Sequence, residues 1–256
     1  INLQKVCMSN YINNLFSLEG KTAIITGGSR GIGAQISKSF LKANANIICM
    51  SRSSKTEHSE LQENYKQCDI NDNNKFKDIC QQACELYKGI DILVNAAGIS
   101  LQKDDSFSKF ERFSKTLEVN LISTYKCCEI ASDFMISGGS IINITSIGSI
   151  LGFPGNPGYV SSKGGLRSLT KALAEDLSIK NIRVNNIAPG YIRTDMTEDS
   201  FLNSALNKQR MDRMMIKRWG SVEDIGSAAI FLASNASSYI TGTDIIVDGG
   251  WTAKGI

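Results

Sequence analysis

The sequence predicts an α/β fold in which helices cover a parallel β-sheet. Three observations carry this: short β-branched runs alternate with longer stretches of helical period, the runs are continuously apolar rather than alternating, and a glycine-rich turn follows the first of them. Continuously apolar strands are buried on both faces, and repeated βα units make the sheet parallel. The first strand is Thr22-Ala23-Ile24-Ile25-Thr26, followed by a helix over Ile32 to Leu41 with Ile36, Phe40 and Leu41 on one side. Further strands are expected at Asn46 to Met50, Ile90 to Asn95, Ser140 to Thr145, Ile182 to Ala188 and Thr243 to Val247, all of this doubly buried kind. A second helix runs from Tyr159 through Leu166, Leu169, Leu173 and Leu177, a spacing that buries one side. Asn71 to Asn74 reads as a polar loop.

Composition narrows the function. The 256 residues, 42% hydrophobic and 21% charged, suit one ordinary folded domain, and with only 3 Pro there is no linker to divide it. A net charge of +3 is too slight to call for nucleic acid or an acidic membrane surface. No apolar stretch reaches the roughly 18 residues of a membrane span, and Ile1 to Phe16 is too polar for a signal-peptide core, so the chain reads as cytoplasmic. The seven cysteines lack Cys-x-x-Cys spacing and read as reduced, mostly buried small hydrophobes; no metal site is expected. With His58 the single histidine, Ser-His-Asp hydrolases and His-ligated zinc enzymes are poor candidates.

The first chemical signal is Thr26-Gly27-Gly28-Ser29-Arg30-Gly31-Ile32-Gly33, directly after a strand and before a helix. Glycines there let the backbone approach a diphosphate, whose charge the helix N-terminus favours. The absence of a following Gly-Lys-Ser/Thr excludes a P-loop, while a merely tight turn remains open. The end of the second strand bears on which dinucleotide. An acid there serves the ribose of NAD, whereas an Arg accommodates the 2'-phosphate of NADP. Here Met50 runs into Ser51-Arg52-Ser53, so NADP(H) is preferred, with NAD(H) as the alternative. Arg30 could join Arg52 on the phosphate, although either also fits a solvated surface charge.

The second signal is Tyr159-Val160-Ser161-Ser162-Lys163. Residues four apart share a helix face, so the ammonium can approach the phenol and lower its pKa from about 10, making Tyr159 a usable general acid/base. Alone, such a pair is equally an incidental surface feature. It is not alone. Thr26-Gly-x-x-x-Gly31-x-Gly33, Cys68-Asp69-Ile70, Asn95-Ala96-Ala97-Gly98, Asn120, Ser146, Tyr159-x-x-x-Lys163 and Pro189-Gly190 with Thr194 occur in one order, and on them the chain resembles the short-chain dehydrogenase/reductase family from about Leu18 to Trp251. Ala96 is the visible departure, standing where many members have a second Asn.

That resemblance implies a single Rossmann-type domain with a doubly wound, seven-stranded parallel sheet and helices on both faces. Residues 1–17 would be an N-terminal extension to a catalytic domain over 18–256. It implies hydride transfer between nicotinamide C4 and a carbonyl or alcohol carbon. Tyr159 would move the proton, Ser146 would stabilise the substrate oxygen, Lys163 would bind the nicotinamide ribose and depress the Tyr159 pKa, and Asn120 would hold a water linking Lys163 to solvent. Gly27, Ser29, Arg30, Gly31, Ile32 and Gly33 would cradle the diphosphate, with Ser51 and Arg52 at the 2'-phosphate. Asp69 and Ile70 would lie near the adenine, Asn95, Ala96, Ala97 and Gly98 along the adenosine ribose, and Pro189, Gly190, Ile192 and Thr194 around the carboxamide; Asn95, Pro189 and Gly190 also suit strand-end punctuation. A homotetramer is implied too.

Between Tyr191 and Gly220, where relatives place a substrate lid, Lys208, Arg210, Arg213, Lys217 and Arg218 interleave with Met211, Met214 and Met215. This reads either as a flap with basic groups for an anionic substrate or as a solvated helix with an apolar underside. Two substrate branches compete. A 3-oxoacyl carrier-protein reductase needs a basic docking surface, yet Asp133-Phe134-Met135-Ile136-Ser137 has no Lys or Arg and Lys180 is the one clear candidate. The flanks Phe16 to Lys21, Arg218 to Gly220 and Asp248 to Trp251 are similar to gluconate 5-dehydrogenase and 2-deoxygluconate 3-dehydrogenase members, which favours a small polar sugar-acid or polyol substrate. A non-catalytic cofactor-binding regulator is the rival from another class.

Overall fold

Side chains alternate across a strand, so a run such as Ala23-Ile24-Ile25 can be buried throughout only if both faces of its sheet are covered. The computed structural model, which describes residues 11–102, 104–136 and 138–255, has this arrangement. Residues 1–10 of the expected extension, and Ser137 of the segment before the fifth strand, lie outside the described residues. Seven strands, β1 (Thr22–Thr26), β2 (Asn46–Ser51), β3 (Tyr65–Gln67), β4 (Ile92–Asn95), β5 (Gly139–Ile144), β6 (Ile182–Pro189) and β7 (Asp244–Val247), form one sheet in the order β3-β2-β1-β4-β5-β6-β7. Every pairing is parallel.

On one face, Ile36 and Phe40 of α1 (Gly31–Lys42) and Ile225, Ala229 and Leu232 of α8 (Val222–Ala233) pack with Ala23, Ile25 and Ile47. On the other, α2 (Asn73–Tyr87) brings Phe76, Ile79 and Ala83, α4 (Ser123–Ser132) Cys127, Cys128 and Ala131, and α5 (Pro157–Asp176) Leu173, all against Ile24, Ile48 and Leu93. Asp72 caps α2 by accepting from Lys75 N, and Ser108 and Glu111 form a reciprocal capping box at α3 (Lys109–Leu117). Segment 191–220 holds two short helices, α6 (Glu198–Leu202) and α7 (Ser204–Arg213).

Three sequence expectations need correction. Asn71 to Asn74 is not a loop throughout: Asp72 caps α2, and Asn73 and Asn74 open it. β3 is an extra strand of three residues, too short and too exposed to carry a pattern. β7 is not buried on both faces: it ends the sheet order, and Ile246 is 43% exposed. The described cysteines behave as small hydrophobes, Cys7 lying outside the described residues. Cys49, Cys68, Cys80, Cys127 and Cys128 are buried free thiols, and burial pushes Cys49 and Cys68 up to about 11 and Cys80 and Cys128 up to about 12, away from thiolate chemistry. Among the described residues no helix is long and apolar enough to cross a membrane, and no cluster of ligating side chains could hold a metal.

Candidate active site

Strand order reverses between β1 and β4, and in open α/β sheets ligands bind in the crevice at the carboxyl ends beside such a point. The turn after β1 floors that crevice. Gly27 and Gly31 have φ of 72° and 57°, the left-handed region that only glycine enters freely. A Cβ on Gly27 would lie 2.7 Å from Ala97 N, and one on Gly33 would lie 2.3 Å from the Gly27 carbonyl oxygen. Over Gly31, by contrast, only Thr194 comes within 4 Å, so the turn faces open space with the Pro189–Thr194 loop across from it. Arg30 caps α1 with no side-chain hydrogen bond, and the first turn carries no acid, which leaves the leading N–H groups without a capping partner. Ile32 sits half-buried beside them.

The loop after β2 docks on this turn. The buried Ser29 carbonyl accepts from Thr56 Oγ1 and from Glu57 N, each at 3.1 Å. Thr56 is buried and does a positioning job that nothing in its polar sequence neighbourhood signals. Ser51 Oγ lies 2.6 Å from the Tyr65 hydroxyl. Arg52 is exposed and makes no ion pair among the described residues, whereas Arg30 pairs with Asp195 at 3.1 Å, both side chains well exposed. Asp69 Oδ1 accepts from Asn71 N just beyond β3, and Ile70 is buried.

Asn95 is not brought to the crevice by its side chain. Its Nδ2 donates to Asn143 Oδ1 at 2.8 Å and to Cys128 Sγ at 3.1 Å, inside the sheet. The backbone of Ala96 and Ala97 is what meets the glycine turn, with Ala97 N donating to Thr26 Oγ1 at 3.2 Å. Gly190 follows β6 where a Cβ would lie 2.6 Å from Asp248 Cα, and Ile192 is buried beside it.

Four polar residues converge one strand further along. Ser146 follows β5, accepts from Gly148 N at 3.0 Å and lies near enough to the Tyr159 phenol to act on its pKa. One turn after Tyr159 on α5, Lys163 Nζ donates to Ile144 O at 2.7 Å and sits 5.9 Å from the Tyr159 ring centroid. Asn120 lies on a π-helical turn, Glu118–Ile122, that joins α3 to α4. Its amide donates to Ile99 O at 2.9 Å and Ser162 Oγ at 3.1 Å, and its Oδ1 accepts from Ile99 N at 2.8 Å. A Cβ on Gly98 would lie 3.4 Å from Asn120 Oδ1 and 3.5 Å from Lys163 Nζ, which shows how closely these three meet.

Electrostatics here differ from the sequence expectation. Burial raises the Tyr159 pKa above its ordinary value, and the nearby Ser146 hydroxyl only partly opposes this. The Lys163 ammonium, itself pulled down to about 8 by desolvation, sits over the ring and is spent on a backbone carbonyl rather than on the phenol oxygen. Beside Ser146, Ile147, Leu151, Phe153, Tyr191, Met214 and Trp251 form an apolar wall.

Known proteins share this architecture. The model of a family described as enoyl-(acyl carrier protein) reductase matches residues 27–252. The chain is 39% identical over 253 residues to 2-dehydro-3-deoxy-D-gluconate 5-dehydrogenase of Bacillus subtilis (strain 168), covering 95% of this chain and 99% of that one. It is 38% identical over 244 residues to the 3-oxoacyl-[acyl-carrier-protein] reductase FabG of Chlamydia trachomatis serovar D, covering 91% and 98%. A crystal structure of gluconate 5-dehydrogenase from Burkholderia cenocepacia J2315, in complex with NADP and tartrate, matches with a TM-score of 0.87 at 30% identity over 95% of this chain and 99% of that one. With the seven-stranded sheet, the ordered motifs and these relatives in agreement, the chain belongs to the short-chain dehydrogenase/reductase family, nicotinamide-dependent oxidoreductases of the CH–OH group.

Proposed function

We propose that the protein is an NADP-preferring oxidoreductase acting on a carbonyl or secondary alcohol of a small polar substrate of the sugar-acid or polyol type. The observation that carries the reaction is the gathering of Ser146, Tyr159 and buried Lys163 beside the crevice floored by the glycine turn, with Lys163 Nζ anchored on Ile144 O and facing the Tyr159 ring. The chain's residues fit a dinucleotide: Gly31 faces open space, the α1 N–H groups have no capping partner, and no acid follows Met50. Gly27 to Gly33 would hold the diphosphate, Ser51 and Arg52 the 2'-phosphate, Asp69 and Ile70 the adenine end, the Ala96 to Gly98 backbone the ribose, and Pro189 to Thr194 the carboxamide. Arg30 can join Arg52, because an exposed pair such as Arg30–Asp195 is worth no more than about 1 kcal/mol and exchanges easily.

The bound nicotinamide supplies or accepts hydride at C4. Tyr159 gives the proton to the substrate oxygen in reduction and takes it in oxidation. Ser146 Oγ, held by Gly148 N, presents its hydroxyl to the same oxygen as charge develops there. Lys163, anchored on Ile144 O and facing the Tyr159 ring, would hold the ribose hydroxyls of the bound dinucleotide. Asn120 fixes the Ile99 backbone and Ser162, and holds the proton path from Lys163 toward solvent. Segment 191–220 serves as the substrate lid.

Support for the sugar-acid reading is the Bacillus and Burkholderia relatives, together with Lys180, whose Nζ is held 3.1 Å from Asp133 Oδ1 and is poorly placed to greet an acidic carrier protein. The second reading, a 3-oxoacyl carrier-protein reductase, is favoured by the apolar wall beside Ser146 and by the Chlamydia relative. We extend the proposal to a homotetramer in the cytoplasm; the apolar groups left on α3, α4 and β7, namely Phe110, Tyr125 and Ile246, suit self-association. The test is nicotinamide absorbance during turnover, with NADPH and NADH, over sugar acids, polyols, hydroxysteroids and acetoacetyl carrier-protein thioester. Turnover of acids or polyols with NADP(H) is expected. Efficient thioester reduction with the sugars inert would favour the second reading, and cofactor binding without turnover of anything would favour a regulator.

A further inference from the structure

Six cations sit on the lid segment, and their surroundings divide them. Arg193 forks onto Glu198 at 2.8 and 3.1 Å, Lys208 pairs with Asp212 at 3.2 Å, and Arg218 grips both oxygens of Asp224 at 2.7 and 2.8 Å. Lys217 donates to the carbonyls of Met211 and Asp212. Arg210 and Arg213 are different. Among the described residues neither makes an ion pair, and both lie one turn apart on α7, so they share a helix face. Each guanidinium lies over an aromatic ring instead, Arg210 at 4.6 Å from the Tyr191 centroid and Arg213 at 5.1 Å from that of Trp251. Those two rings pack on each other at 4.7 Å.

This placement is costly without an anion. Arg210 Nη1 reaches a carbonyl of its own helix, Leu206 O, but Arg210 Nε is buried with no hydrogen-bond partner. The carboxylate nearest in sequence to the rings, Asp248, is occupied by Gly250 N, Thr252 N and Thr252 Oγ1. Tyr191 follows Pro189–Gly190 at the end of β6, and β6 pairs with β5, whose end leads to Ser146; Tyr191 and Trp251 belong to the same apolar cluster as Ile147. The rings that carry the two arginines therefore belong to the apolar wall that starts beside Ser146. A guanidinium held over a ring keeps its N–H edge for a planar, two-oxygen acceptor.

We propose that Arg210, assisted by Arg213, is the carboxylate-recognising group of the substrate site, gripping an acid at the end of the substrate remote from the reacting carbon. This rests on the oxidoreductase reading above and assigns its specificity to two residues outside the Ser146–Tyr159–Lys163 group. The test compares Arg210→Met, Arg213→Met and Arg210→Lys with the parent protein. Each is assayed with NADP⁺ on matched pairs, D-gluconate against D-glucitol and D-galactonate against galactitol, and calorimetry reads D-gluconate binding to the NADPH-loaded protein. For Arg210→Met the KM and dissociation constant for the acid should rise by about tenfold to a hundredfold, the loss of a charge-assisted pair of hydrogen bonds. The polyol KM should stay within about twofold, Arg213→Met should show a smaller effect of the same kind, and Arg210→Lys should recover part of the acid binding but not all. An unchanged thermal midpoint confirms that the variants fold. If the parent turns over acids and the variants lose acid and polyol equally, or lose neither, this assignment is overturned while the sugar-acid reading stands. If the parent neither binds nor turns over any acid, this assignment is overturned; turnover of the polyols then leaves the proposed function standing, and inert polyols as well bring it down too.

Discussion

Lys163 shows what a buried ammonium costs the fold. Its ammonium is buried, and desolvation brings its pKa down to about 8. In the unfolded chain a lysine titrates near 10.4, so between about 8 and about 10.4 the unfolded state holds a proton that the folded state has shed. Stability contributed by this group therefore rises with pH across that window, and below it the buried charge is a burden. Lys163→Met should be more stable than the parent at pH 7, by about 2 kcal/mol once the lost hydrogen bond to Ile144 O is counted, and the gap should close by pH 10. Urea unfolding at the two pH values checks it; a variant less stable at pH 7 would contradict the burial argument. Tyr159, with its pKa raised by burial, should make oxidation accelerate with rising pH and reduction decline, since the phenolate is the base and the phenol the acid. For the cofactor, Arg52→Ala should weaken NADPH binding about tenfold or more and leave NADH binding near its parent value, because only the former offers a 2'-phosphate to a charge-assisted hydrogen bond. Fluorescence titration measures both, and equal losses would place Arg52 elsewhere.

At the scale of elements, the helix that carries Tyr159 and Lys163 is fastened to the sheet by a polar row. Asn95, Asn143, Asn186 and Asp244 occupy matching positions on β4, β5, β6 and β7. Asn143 Nδ2 donates to Thr170 Oγ1 at 2.8 Å, Thr170 donates to Asn186 Oδ1 at 2.7 Å, and Asn186 Nδ2 donates to Asp244 Oδ1 at 2.8 Å. Thr170 is two turns beyond Lys163, so this bracket sets the height of α5 against β5. Thr170→Val keeps the shape but strands Asn143 and Asn186 without their shared partner. The expected cost is about 2–4 kcal/mol in urea unfolding, from two buried polar groups left unpaired; a loss below about 0.5 kcal/mol, the range of neutral surface changes, would show the bracket to be incidental. None of this was legible in the sequence, where the partners of each Asn lie on other strands or on α5. β3 escaped for a different reason: Tyr65-Lys66-Gln67 has a single buried side chain and so no period to read. The main strands were legible because continuous apolar runs have one explanation, burial on two faces. That same rule misled at β7, where the run Ile245-Ile246-Val247 is apolar but its strand is an edge.

Over the whole molecule, the catalytic candidates stand far apart in sequence because the topology gathers the strand ends. Ser146 comes from β5, Gly98 from β4, the glycine turn from β1 and Gly190 from β6, and the parallel sheet delivers all of them to one edge. The sequence made this site readable through residue order and the glycine turn, yet it placed Lys163 on the phenol where the structure has it on Ile144 O, and it gave no sign that Asn95 would turn into the sheet. The Tyr159→Phe variant tests the central claim most directly, because the ring and its packing remain and only the transferable proton is removed. With a substrate from the turnover panel and NADPH, the rate is expected to fall by roughly 10²- to 10⁴-fold, the range of general acid–base catalysis, while the NADPH dissociation constant changes by less than about twofold. Retained turnover in that variant would contradict the account.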